Sequence, residues 1–95
     1  MTSTTQMPVT LEGAVISERG TTFALATAPP NIVQDPIEAE RLVLLLEERV
    51  FPGMPVALMA REWSGHVLFY GHVDVPKVLA GLPLSRIPWR RYPLP

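Results

Sequence analysis

The stretch PVALMAREWSGHVLFYGHV (residues 55–73) decides how this chain is laid out. Two runs rich in Val, Leu, Phe and Tyr flank Ser64–Gly65, the pattern of a β-hairpin. A two-residue turn at Ser64–Gly65 sets Trp63 opposite His66, Arg61 opposite Leu68, Met59 opposite Tyr70 and Ala57 opposite His72. One face then carries Val56, Leu58, Ala60, Val67, Phe69 and Val73, and is expected to meet the core. The other face is mixed. Arg61, Trp63, His66, Tyr70 and His72 stand on it as the candidate ligand-binding residues, with Met59 and Leu68 among them. The competing expectation is that this face packs on the tail or on a second layer. A slip of one residue exchanges the faces, so the assignment hangs on the turn.

Upstream, VTLEGAVISERGTTFALATA (residues 9–28) reads as a first hairpin around Gly20, which can supply the positive φ of a turn. Residues 29–34, PPNIVQ, break the strand. DPIE (residues 35–38) opens a helix. Asp35 caps it, Pro36 fits its first turn and Glu38 lies three residues past the cap. The helix is expected to run from Pro36 to about residue 50 and to stop at Pro52 and Gly53. Ala39, Leu42, Val43, Leu46 and Val50 form one broad apolar stripe. Ile37, Leu44 and Phe51 form a second line on the opposite side, among Glu40, Arg41, Glu47 and Glu48. A helix with one buried face does not need that second line, so something is expected to cover it.

Downstream, residues 74–82 read as a short helix capped by Asp74, with Val78, Leu79 and Leu82 inward. Residues 85–95, SRIPWRRYPLP, are rich in proline and aromatics and lack periodicity, so they are expected to be extended. The organisation predicted is a disordered stretch at residues 1–8, one domain over residues 9–84 and a tail over 85–95. The fold class predicted is α+β: a four-stranded antiparallel sheet from two hairpins with one main helix on one face, in the order ββαββα.

Composition narrows the function classes. The 95-residue chain is 47% hydrophobic and 18% charged, too apolar for a disordered protein. It has no cysteine, which removes disulfides and thiolate-ligated metals. Residues 1–10 lack a signal peptide's basic and apolar regions, and no apolar run is longer than the five residues of 42–46, far short of the ~20 residues of a membrane span. A cytoplasmic protein is the expectation. Residues 1–74 hold nine acids and four bases, a balance of −5, while residues 75–95 hold Lys77, Arg86, Arg90 and Arg91 and no acid.

The chemistry-bearing motifs are sparse. His66 and His72 are ~20 Å apart along a strand and cannot share a metal. His72 and Asp74 share a face, but Ser17, Ser64 and Ser85 sit in no nucleophile elbow. No Gly-rich phosphate loop is present. No catalytic residue, metal or cofactor is expected. As a nucleic-acid arm the tail offers Arg90 and Arg91 with Trp89 and Tyr92, too few cations for affinity at physiological salt. As a strap it places Ile37, Leu44, Phe51, Trp89, Arg90, Arg91 and Tyr92 at an interface, with Arg90 and Arg91 meeting Glu40, Glu47 or Glu48. The expected function is a non-catalytic interaction or dimerisation module, with itself as the first partner. A small-ligand binder using Arg61, His66, Tyr70 and His72 is the alternative, and a weak nucleic-acid accessory protein a more distant one.

Overall fold

The computed structural model describes residues 10–80 and 82–93. The expected disordered stretch at residues 1–8 lies outside them. Strands β1 (Thr10–Glu18) and β2 (Thr21–Thr27) form the first hairpin, antiparallel, with Glu18 opposite Thr21. Its turn residues Arg19 and Gly20 have φ of 52° and 78°. Two positive φ values in a two-residue loop match the right-handed twist of the strands it joins.

After β2 the chain makes a short helix, α1 (Pro30–Val33), and the main helix, α2 (Pro36–Arg49). Asp35 caps α2 through its carboxylate, which accepts from the amides of Ile37 (3.0 Å) and Glu38 (3.2 Å). The chain then enters β3 (Val56–Arg61), which pairs parallel to β2, Leu25 with Ala57 and Ala26 with Leu58. The reason is length. A 14-residue helix rises ~21 Å and carries the chain back along a seven-residue strand of ~23 Å, so β3 starts at the end where β2 started. β3 and β4 (Val67–Gly71) are antiparallel. A short helix α3 (Val75–Val78) and a 3-10 turn at Leu84–Arg86 follow, and β5 (Arg90–Pro93) ends the described chain.

β5 pairs antiparallel with β1, Gly13 with Arg90 and Thr10 with Pro93. The sheet therefore has five strands in the order β4-β3-β2-β1-β5. This corrects the expected four-stranded antiparallel sheet twice: the central pair is parallel, and the tail supplies a strand.

Both faces of the sheet are covered. On one, Leu11, Ala24, Ala26, Val56, Leu58 and Ala60 pack under Ala39, Val43 and Leu46 of α2. On the other, Ala14, Ile16, Phe23, Leu25, Ala57 and Met59 pack under Val75, Leu79 and Ile87 from the chain between β4 and β5. Central strands covered on both faces read as unbroken apolar runs, and FALA in β2 and VALMA in β3 are buried at every position.

The register of β3 with β4 is one residue away from the expected one. Leu58 opposes Tyr70, Met59 opposes Phe69 and Arg61 opposes Val67. The turn is a three-residue loop, Trp63, Ser64 and Gly65, closed by Glu62 and His66. The Gly65 amide donates to the Glu62 carbonyl (2.8 Å), the Glu62 amide donates to the His66 carbonyl (2.8 Å), and Gly65 has φ +92°. A type I turn followed by a left-handed glycine gives this loop and this register. Relative to β3, every side chain of β4 changes face. Leu68 and Tyr70 join the α2 side, while Val67 and Phe69 join the other.

Candidate functional site

The slip separates the predicted ligand face. Tyr70 and His72 stand under α2, whereas Arg61 extends the row of Ala57 and Met59 on the opposite face. Trp63 is at the loop tip, 100% exposed. His66 closes the loop, exposed, with its amide donating to Ser64 Oγ at 3.4 Å. The five residues do not form one site.

Tyr70 and His72 instead meet two acids of α2. His72 Nδ1 lies 2.8 Å from Glu47 Oε2, and His72 Nε2 lies 3.1 Å from Glu40 Oε2. The Tyr70 hydroxyl donates to Glu40 Oε1 at 3.2 Å. Glu47 Oε2 also accepts from the Val56 amide (2.9 Å), and the His72 amide donates to the Val56 carbonyl (3.2 Å). The result is a closed ring of bonds tying α2, β3 and the end of β4. Partial burial pulls the His72 pKa down, but the hydrogen bonds to Glu47 and Glu40 and their negative charge more than offset it. The net direction is upward, toward the imidazolium. Partial desolvation, then the bond to Glu40 and its charge, push the Tyr70 hydroxyl up, so it remains a donor.

This cluster is a latch in its chemistry. Both ring nitrogens of His72 face carboxylates, so neither is left to take a proton from a nucleophile. Its donors lie on opposite sides of the ring rather than converging. Among the described residues, no group of three or more His, Asp or Glu could hold a metal.

Glu40 and Glu47 were not singled out by the sequence as site residues. They fall with Ile37 and Leu44 at i, i+3, i+7 and i+10, one side of α2. Since Glu40 and Glu47 reach β4, that side of the helix overhangs the β4 edge. Ile37 and Leu44 stand one step farther from the sheet on the same shoulder, 67% and 52% exposed. Among the described residues, the tail does not cover them. Phe51, expected in their line, is buried instead, its ring edge-on to Tyr92 at 4.7 Å between centroids. Arg90 and Arg91 are exposed on β5 and form no ion pair with Glu40, Glu47 or Glu48 among the described residues. Trp89 is half-buried against the second core.

The two edges of the sheet differ. β5 carries Arg90, Arg91 and Pro93, with Pro88 just before it, which are the charges and prolines that blunt an edge. β4, VLFYG, carries no charge and no proline. The inward bonds of the His72 amide and the His66 carbonyl set its alternation. Leu68 and Tyr70 bond toward β3, and the backbone N–H and C=O of Val67 and Phe69 point off the edge. An open groove of about 600 Å³ runs along this edge, lined by all five residues of β4 and by Val73, Asp74, Val75 and Pro76. A second concavity, at the far end of the sheet, contains Glu12, Thr27, Met59, Arg61 and Trp89.

No protein family, curated protein or solved structure matches this chain. Among the described residues, no helix is long and apolar enough to cross a membrane.

Proposed function

We propose that this protein is a non-catalytic interaction module that works as a homodimer, joined by the outer edges of β4 from two copies. The observation that carries this reading is the β4 edge, which no described strand covers, apolar and free of charge and proline, beside its groove. The second copy is favoured as occupant because the strand is self-complementary. With a two-fold axis through Phe69, antiparallel pairing sets Phe69 opposite Phe69, Leu68 opposite Tyr70 and Val67 opposite Gly71, and no like charges meet within the strand. Phe69 turns its backbone groups off the edge, so the central pair is a hydrogen-bonded one. The same axis, normal to the sheet, leaves α2 of both copies on one face, one to each side of it. Ile37 and Leu44 then face their counterparts, which accounts for two large apolar side chains on the polar side of a helix. The product is a continuous ten-stranded sheet.

The test is solution mass by light scattering after gel filtration at low micromolar concentration. The expected result is the mass of two chains, halved by Val67→Pro, which removes one outward N–H without touching a β3–β4 bond, and by Leu44→Glu. A parent protein that elutes with the mass of one chain across the accessible concentration range overturns the reading.

A further inference from the structure

The concavity at the other end of the sheet is independent of the β4 edge. It opens on the face opposite α2, beside the carboxyl ends of the parallel strands β2 and β3. Open α/β sheets bind ligands outside the carboxyl ends of their parallel strands. Three strands contribute from their rims, Glu12 from β1, Thr27 from β2, Met59 and Arg61 from β3, with Trp89 from the residue before β5 and Ala28 at the edge. Its volume of about 350 Å³ is at the small end of ligand pockets, which run from about 300 to 1,000 Å³.

The lining is chemically specific. Met59 is buried and supplies an apolar floor, and Trp89 is a half-buried aromatic wall. Arg61 and Glu12 are exposed and bring opposite charges to one small space, yet they form no ion pair with each other or with any other described residue. Arg91 is the cross-strand neighbour of Glu12, but it does not line the concavity and makes no ion pair with that carboxylate. Thr27 Oγ1 donates to the Glu12 carbonyl at 3.2 Å, which fixes the hydroxyl and leaves its lone pairs free to accept. A guanidinium recognises a carboxylate through two parallel N–H bonds. A carboxylate and a hydroxyl oxygen accept from an ammonium, and an aromatic wall takes an apolar body.

From this arrangement we infer that the cleft of Glu12, Thr27, Met59, Arg61 and Trp89 is a binding site for a small zwitterion, a free α-amino acid. Arg61 holds the carboxylate, Glu12 and Thr27 hold the ammonium, and the side chain lies between Met59 and Trp89. The sequence placed Arg61 and Met59 on one mixed face; the other lining residues come from three further stretches, β1, the end of β2 and the segment before β5, which the five-stranded sheet brings together.

Trp89 makes the site directly readable. Trp63 is wholly exposed at the loop tip, so Trp63→Phe leaves Trp89 as the single indole at no cost to packing. The common L-amino acids are titrated singly into this variant, up to about 10 mM, an affinity floor of about −2.7 kcal/mol. At least one is expected to shift Trp89 emission saturably. Its amine without the carboxylate and its acid without the amino group are expected to bind at least about tenfold more weakly, as is the parent ligand to Arg61→Gln and to Glu12→Gln. Arg91→Gln removes the same charge outside the cleft and is expected to keep the affinity. Circular dichroism melts that match the parent show that the variants are folded. No shift with any amino acid overturns the inference. So does equal binding of the deaminated acid, which would make this a plain carboxylate site, or an equal loss in Arg91→Gln, which would reduce it to general charge attraction.

Discussion

Gly71 and His72 are adjacent, and both hold the end of β4 in place. Gly71 has φ +148°, and a Cβ built on it falls 2.6 Å from Ala57 Cα and 2.6 Å from the Val56 carbonyl oxygen. Both atoms are backbone, so neither can step aside. Gly71→Ala is expected to destabilise the fold by about 2–3 kcal/mol, read as a lower urea midpoint with unchanged slope. An unchanged midpoint would mean that the strand ends relax freely. His72 acts by charge. Its folded pKa is raised, so its contribution is fully present below the unfolded value of about 6.5 and is lost as pH rises through the folded pKa. Stability should therefore fall slightly as pH rises from about 6.5 through the raised folded pKa. His72 is 40% exposed, so solvent screening keeps the effect under about 1 kcal/mol. His72→Gln should remove that slope. A variant with the parent's pH dependence would assign the slope to other groups.

At the scale of elements, the tail is the part whose placement the chain order conceals. β5 covers the outer edge of β1 and brings Tyr92 over Phe51, whose ring lies against Gly13. Ile87 is buried just ahead of it. Removing residues 85–95 withdraws one strand and three large side chains that pack on the two cores, Ile87, Trp89 and Tyr92, where full burial of one such side chain is worth about 1.5–3 kcal/mol. The truncated chain is expected to melt far below the parent or not to fold. Equal melting temperatures would show that β5 adds nothing. Much of the rest was legible because it is local. The α2 cap at Asp35 and the strand runs follow from neighbours in sequence, and Asp35→Ala should lower stability by about 1 kcal/mol in the same melts. Two things were not legible. A tail with three prolines gives no strand signal, since its pairing depends on a partner some 80 residues away in β1. The register of β3 with β4 turned on whether Gly65 ends a two-residue or a three-residue loop, a difference that local composition barely marks. One residue there moved Tyr70 and His72 to the face opposite Arg61. The parallel β2–β3 pair did leave a trace, because FALA and VALMA are both unbroken apolar runs joined by a helix. Continuous apolarity is what two covered faces require.

At the scale of the whole molecule, the sheet of the described residues has one guarded edge and one open one, and that asymmetry has consequences in solution. A monomer with VLFYG on a free edge exposes outward backbone donors and acceptors to any other strand. If the edge is filled by a second copy, folding is linked to association. Apparent stability must then rise with protein concentration, by about 1.4 kcal/mol per dimer for each tenfold increase. Val67→Pro should remove that dependence while keeping the fold. Two-fold pairing through the strand also differs measurably from a dimer that meets only through Ile37 and Leu44 on α2. In the strand-paired dimer, the amides of Val67 and Phe69 donate across the axis, and so exchange with solvent slowly at high protein concentration and quickly on dilution. Exchange at Leu68 and Tyr70, whose amides already bond to β3, should change much less. In a dimer made by the helices alone, the outward amides stay wet and exchange quickly at every concentration. Concentration-dependent protection that alternates along β4 is thus specific to the joined sheet, and fast exchange at Val67 and Phe69 in a confirmed dimer would move the interface to α2.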